Sequence, residues 1–142
     1  MSEKLDAQFE RIKAVFGTDE IPSADEATIQ TYFEYLKKNL VCPCLLTGME
    51  SMGFFEWEDR FDFGYGSKRE YERLKKENGS YQDIYELKEF DATLNEIDIY
   101  ARVRRVSDRK KFIIPLSELE AVDKASKNYQ LLDDYSVWRV NW

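Results

Sequence analysis

From Ile97 to Arg104 the side chains alternate: Ile97, Ile99, Ala101 and Val103 are apolar, while Asp98, Tyr100, Arg102 and Arg104 carry polar groups. A period of two is that of a β-strand with one face buried, and no other feature narrows the possible folds as far. Ser107-Asp108-Arg109-Lys110 supplies turn chemistry, and Phe112 to Ile114 returns as a partner strand. So short a connection requires antiparallel neighbours, because a parallel pair needs a crossover of about a dozen residues or more. Strands are expected over about 44–50, 81–90, 97–106 and 111–115.

Helical spacing frames this sheet. Leu5, Phe9, Ile12 and Phe16 recur on one helical face, so the first helix is expected over about 3–16, closed by Gly17. Ser23 with Glu26 three residues on has the form of a capping box, opening a second helix over about 23–40 with Ile29, Tyr32, Phe33, Leu36 and Leu40 on its apolar face. Ser117 with Glu120 repeats that pattern before a terminal helix over about 126–141, whose apolar face carries Leu131, Tyr135, Trp138 and Trp142. Between these, Phe55, Trp57, Phe61, Phe63 and Tyr65 fall on odd positions and Glu56, Glu58, Arg60 and Asp62 on even ones. This predicts a strand or hairpin with one aromatic face, followed by an exposed helix from Ser67 to Lys76. The expected class is α+β: a small antiparallel SH3-like β-barrel with two N-terminal helices and one C-terminal helix packed on it, as a single domain over 1–142.

Composition removes several functions. The chain has no His, so imidazole-based acid–base catalysis and His-ligated transition metals are excluded; a bound metal must be a hard cation held by oxygen. Cys42 and Cys44 are too few for a four-ligand zinc site, and in an extended segment they would share a face as buried thiols in a reducing compartment. The net charge of −7 disfavours nucleic acid and favours cations or basic protein surfaces. Residues Met1 to Phe16 contain neither a signal peptide nor a membrane span, which makes the cytoplasm the expected location. No phosphate loop, nucleophile elbow or cofactor fingerprint is present, so an enzyme is not expected.

Two blocks resemble the cyanobacterial-type small acidic calcium-binding family, the CcbP-like proteins without an EF-hand. The first runs from Tyr32 to Cys44: an aromatic-rich helix, a Leu, then Pro43 at the start of a strand. The second runs from Ile114-Pro115-Leu116 through Leu119 to Asp133-Asp134-Tyr135 and Trp138. Two departures are plain: Lys37 and Lys38 stand where acids are common in that family, and the 52–79 segment has the look of an insertion. The resemblance implies a helix-plus-barrel fold and calcium as the ligand.

With that resemblance, Asp133 and Asp134 become the leading metal candidates, with Asp25 and Glu26 completing the set from the start of the second helix. Asp25 and Glu26 also suit a helix N-terminus for its own sake. Glu56, Glu58, Asp59 and Asp62 form the densest acidic cluster and are secondary candidates. On a strand, Glu56 and Glu58 would share a face about 6.7 Å apart. An EF-hand fails here, because a loop from Asp59 to Glu70 puts Phe61 and Phe63 where oxygens are needed. Arg102, Arg104, Arg105, Arg109, Lys110 and Lys111 form a basic patch, read as a solvated edge or as a surface for an acidic partner. The expected function is a calcium buffer or sensor using clustered carboxylates. The alternative is a protein-interaction module that has lost its metal, with 52–66 as the contact surface; a carboxylate-based hydrolase is third. The expected partners are calcium and, in the interaction-module reading, another protein, with no nucleic acid and no membrane.

Overall fold

The structure, a computed structural model, describes residues 3–49, 53–93 and 98–142. Glu50, Met52 and Ile97, at the ends of expected segments, lie outside these. The chain runs α1 (Glu3–Phe16), α2 (Glu26–Asn39), β1 (Leu45–Gly48), a 3-10 turn (Gly53–Glu58), α3 (Asp59–Asp62), α4 (Lys68–Glu77), β2 (Ile84–Thr93), β3 (Asp98–Arg105), β4 (Lys111–Pro115), a second 3-10 turn (Leu116–Glu118), β5 (Leu119–Ala121) and α5 (Lys127–Asn141).

The strands form one antiparallel sheet in the order β4-β3-β2-β1-β5. The alternation places Ile99, Ala101 and Val103 inward, joined by Tyr85, Leu87 and Ile114, all buried. A bulge at Lys88 lets Leu87 face Val103 and Glu89 face Arg102, which keeps the inward set in phase and strengthens the twist. The class is therefore α+β. A closed barrel is not observed: among the described residues β4 and β5 remain the edges of an open sheet. The sheet nonetheless curls strongly. In a flat sheet β4 and β5 would lie about 19 Å apart, yet the chain passes from Pro115 to Leu119 through one 3-10 turn, a reach of at most about 14 Å.

The helices cover the inward face. Tyr32 of α2 packs against Tyr135 and Trp138 of α5, with ring centroids 5.1 Å apart in both pairs, and Phe16 of α1 lies 5.6 Å from Tyr32. Trp138 is fully buried, and its indole N–H donates to the Pro22 carbonyl at 2.8 Å. Burying a Trp and two Tyr rings in one cluster makes this the heaviest apolar anchor of the fold.

Several local expectations are corrected. The N-cap of α2 is Asp25, whose capping box is completed by Thr28, so Ser23 and Glu26 do not form one. Ser117 and Glu120 cap no helix, because Leu116–Glu118 is a 3-10 turn leading straight into β5. The 55–65 stretch is not a strand: its aromatic residues also satisfy helical spacing, and Trp57 and Phe61 both pack on Tyr71 of α4. Phe63 and Tyr65, at 79% and 69% exposure, belong to no buried face. The chain bends at residues 42 and 43, leaving Cys42 exposed and Cys44 buried rather than both on one inner face. Burial pushes the Cys44 thiol up to about 11.

Candidate functional site

Asp133 and Asp134 lie in the second turn of α5 and point toward α1. Asp134 is buried, and both its oxygens are engaged: Oδ2 accepts from Arg11 Nε at 2.8 Å, and Oδ1 accepts from Arg11 Nη2 and Gln8 Nε2, each at 3.0 Å. Gln8 Nε2 also donates to Asp133 Oδ2 at 3.0 Å. The hydrogen bond to Asp134 holds the Arg11 guanidinium above its ordinary pKa. A two-pronged guanidinium already supplies the positive charge that Asp134 needs. The pair fastens α5 to α1.

Asp25 accepts from the Thr28 backbone N–H at 2.8 Å, and that bond holds its carboxyl below the usual range. Glu26 is exposed in the first turn of α2. The structure does not gather these with Asp133 and Asp134. Among the described residues no three carboxylate or thiol side chains stand close enough together to hold an ion.

The secondary candidates also separate. Glu58 is buried and satisfied, its Oε1 accepting from Tyr81 N at 2.9 Å and its Oε2 from the Tyr71 hydroxyl at 2.8 Å. Burial and this bond push the Tyr71 phenol up. Glu58 thus ties the first 3-10 turn to α4 and to the approach to β2. Glu56 and Asp62 are exposed, and Asp59 is half-buried.

Among the described residues the buried carboxylate with an unfilled oxygen is Glu118, which sequence reasoning did not single out. It sits in the 3-10 turn between β4 and β5 and is 8% exposed. Its Oε1 accepts from the Phe54 backbone N–H at 3.2 Å, whereas its Oε2 is buried with no hydrogen-bond partner among the described residues. The approach of this side chain depends on Gly53, where an added Cβ would stand 2.6 Å from Oε1. Burial, foremost, pushes the Glu118 carboxyl up, and the Asp98 and Glu56 carboxylates add repulsion. The Phe54 N–H acts the other way.

Asp98 opens β3 beside this corner. Its Oδ1 accepts from the Tyr135 hydroxyl at 2.7 Å and from Ile99 N at 2.8 Å. Ser136 of α5 donates to the Ser117 carbonyl at 2.7 Å, and Met49 N donates to the Glu118 carbonyl at 3.0 Å. The end of β1, the first 3-10 turn, the start of β3 and α5 therefore converge around one buried carboxylate. A buried acceptor without a partner costs about 1–3 kcal/mol, more when charged, so the corner is short of a donor or a cation. A hard cation takes such oxygens. The sequence signal was a Glu set between leucines in Leu116-Ser117-Glu118-Leu119, an ionisable group in a run of buried positions.

The profile of the CcbP calcium-binding family, described as "Calcium binding", matches residues 54–139, more than half of the chain. The chain belongs to the CcbP calcium-binding family. Calcium is the ligand this membership supports. No curated protein and no solved structure matches the chain. The matched range contains Glu56, Asp98, Glu118, Asp133 and Asp134 but neither Asp25 nor Glu26. It also contains most of the segment expected to be an insertion, while the Tyr32 to Cys44 block lies outside it. No helix among the described residues is long and apolar enough to cross a membrane.

Proposed function

We propose that the protein is a non-EF-hand calcium buffer or sensor of the cytoplasm and that Glu118 anchors its ion site. The observation that carries this reading is the Oε2 of Glu118, buried without a partner among the described residues, with the Asp98 and Glu56 carboxylates near enough to raise its pKa. Calcium takes six to eight oxygens at about 2.3–2.6 Å, so Glu118 would be the anchoring carboxylate and backbone carbonyls and water would supply most of the rest. A bound divalent cation would supply the positive charge that this corner lacks. Binding would favour the ionised form of Glu118, against the burial that disfavours it. Asp133 and Asp134 have a different job in this reading, since Arg11 and Gln8 already satisfy Asp134.

Calorimetric titration of the full chain with calcium chloride at near-physiological salt tests the proposal. Wild type gives heat and a calcium-dependent rise in melting temperature. Glu118→Gln keeps the shape and removes the charge, and it abolishes both, whereas Asp25→Asn and Asp133→Asn leave them in place. Wild-type heat from the Glu118→Gln variant would overturn the assignment. Hydrogen exchange at Phe54 and Met49 separates buffer from sensor, because a sensor must change its protection when the ion binds.

A further inference from the structure

One face of α4 is strongly basic. Lys68, Arg69, Arg73 and Lys76 line it together with Glu72, and all five are exposed. From Lys68 to Lys76 the face runs along about 12 Å of helix. Just before the helix stand Phe63 and Tyr65, the most exposed large hydrophobic residues among those described, at 79% and 69%. A hollow lined by Asp62, Gly64, Tyr65, Lys68 and Tyr71 joins this tip to the helix, so rings and cations belong to one surface. We infer that this surface rests the protein on an anionic membrane, with Phe63 and Tyr65 entering the headgroup layer and the α4 cations meeting anionic headgroups, independently of the calcium site.

The four cations are uncommitted. Among the described residues no carboxylate forms an ion pair with any of them, and the neighbouring Glu70 is taken by Arg60. Asp62 and Glu72 are the acids of the surface, so its cations outnumber its acids four to two, in a chain whose net charge is −7. At physiological salt, charges are screened over about 8 Å, so remote acids weigh little against the groups that touch a membrane. The surface is also held in place. Trp57 and Phe61 pack on Tyr71 beneath the helix. At its other end Arg105 Nη2 donates to the Lys76 carbonyl at 2.9 Å, and Nη1 to those of Lys75 and Asn78 at 3.0 Å. In the tip, Gly64 and Gly66 have φ of +88° and +86°, and an added Cβ at Gly66 would stand 2.6 Å from the Phe61 ring. The turn therefore depends on glycine and leaves both rings outside the core. A lipid interface accepts rings and cations together without a shaped pocket: anionic headgroups draw Lys and Arg, and aromatic rings favour the headgroup layer. No helix among the described residues is long and apolar enough to cross a bilayer, so the contact is one of surface. Single-stranded nucleic acid is the poorer fit, because it needs rings set along a positive track, and here both rings stand at one end of the cations.

The test is cosedimentation of the full chain, in EDTA, with vesicles of equal parts phosphatidylcholine and phosphatidylserine; vesicles of phosphatidylcholine alone are the comparison. Wild type should pellet with the mixed vesicles, stay in solution with the neutral ones, and be released by added salt. Arg69→Glu with Arg73→Glu should weaken binding by about tenfold or more. Phe63→Ser with Tyr65→Ser should weaken it by about tenfold. All four positions are exposed, so both variants should keep the circular dichroism of wild type. Lys4→Glu with Lys124→Glu makes the same change of charge elsewhere on the surface and should leave binding in place. Absence of pelleting, equal pelleting with neutral vesicles, an equal loss on changing Lys4 and Lys124, or full binding by either α4-side variant would each overturn the inference. So would release of the chain from vesicles by ten-nucleotide oligo-dT, which would make nucleic acid the occupant.

Discussion

Two acidic corners of this molecule invite opposite conclusions. The Asp133–Asp134 pair is conspicuous in the sequence, yet Asp134 is already matched by a guanidinium and an amide from α1. Glu118 is inconspicuous, and its Oε2 is buried without a partner among the described residues. Density of acids along a chain measures charge, whereas affinity for a cation depends on which oxygens the fold leaves unsatisfied. In the first corner the fold supplies its own cation; in the second the described residues supply none.

The largest expected effect separates the corners outright. Glu118→Gln should eliminate the calcium heat, and Arg11→Ala should leave it intact while destabilising the protein. Arg11→Ala strands a buried carboxylate. A fully buried pair broken this way costs about 3–5 kcal/mol, and the 38% exposure of the Arg11 side chain brings the expected loss to about 2–3 kcal/mol. Urea denaturation measures it. If Arg11→Ala weakened calcium binding as much as Glu118→Gln did, the two corners would form one site and the contrast would fail.

A smaller effect probes the link between them. Tyr135 follows the acidic pair but reaches the other way, its hydroxyl donating to Asp98 and accepting from Ile99 N at 3.1 Å. Tyr135→Phe removes both bonds within a buried ring cluster and should cost about 1–2 kcal/mol by the same denaturation assay. Because Asp98 then loses a donor, calcium affinity should rise or hold rather than fall. A marked fall would mean that Asp98 must be held in place by Tyr135 before it can help Glu118.

What could be read in advance follows the same line between local and tertiary information. The periods of α1, α5 and β3 are set by which side chains must leave water, and they were legible. The parity of β3 even contained the fate of Arg105: with Ile99, Ala101 and Val103 inward, an odd-numbered Arg must face inward too and find acids there. The 53–62 stretch was ambiguous because its aromatic residues satisfy two periods at once, and contacts with Tyr71 across α4 decide between them. The open sheet was not legible, since closure depends on whether β4 and β5 pair after the 3-10 turn. Nor was the orphaned oxygen of Glu118, because a missing partner is a property of every element around it. The docking of Arg11 on Asp134 spans 123 residues of sequence and left no local mark.

The smallest expected effect is also the most specific, because it concerns the sign of a pH dependence. Glu118 has its pKa raised by burial, so the folded state holds a proton that the unfolded chain has begun to release. Folding is therefore favoured below the ordinary glutamate pKa of about 4.3, and that contribution is lost as pH rises through the higher folded value. Asp108 behaves oppositely. The Arg105 guanidinium holds it down to about 2, so its contribution is present above the ordinary aspartate range and is lost as pH falls toward that value. The two windows lie on either side of about pH 4. Stability curves without calcium should then show Glu118→Gln gaining on wild type as pH rises above that point, while Asp108→Asn loses ground only as the folded carboxyl of wild type ionises below it. Added calcium should shrink the gain of Glu118→Gln, since the ion favours the ionised carboxylate of wild type and has no such group to act on in the variant. Equal pH slopes for wild type and Glu118→Gln would mean that the buried oxygen is satisfied after all, and the difference between the two corners would vanish with it.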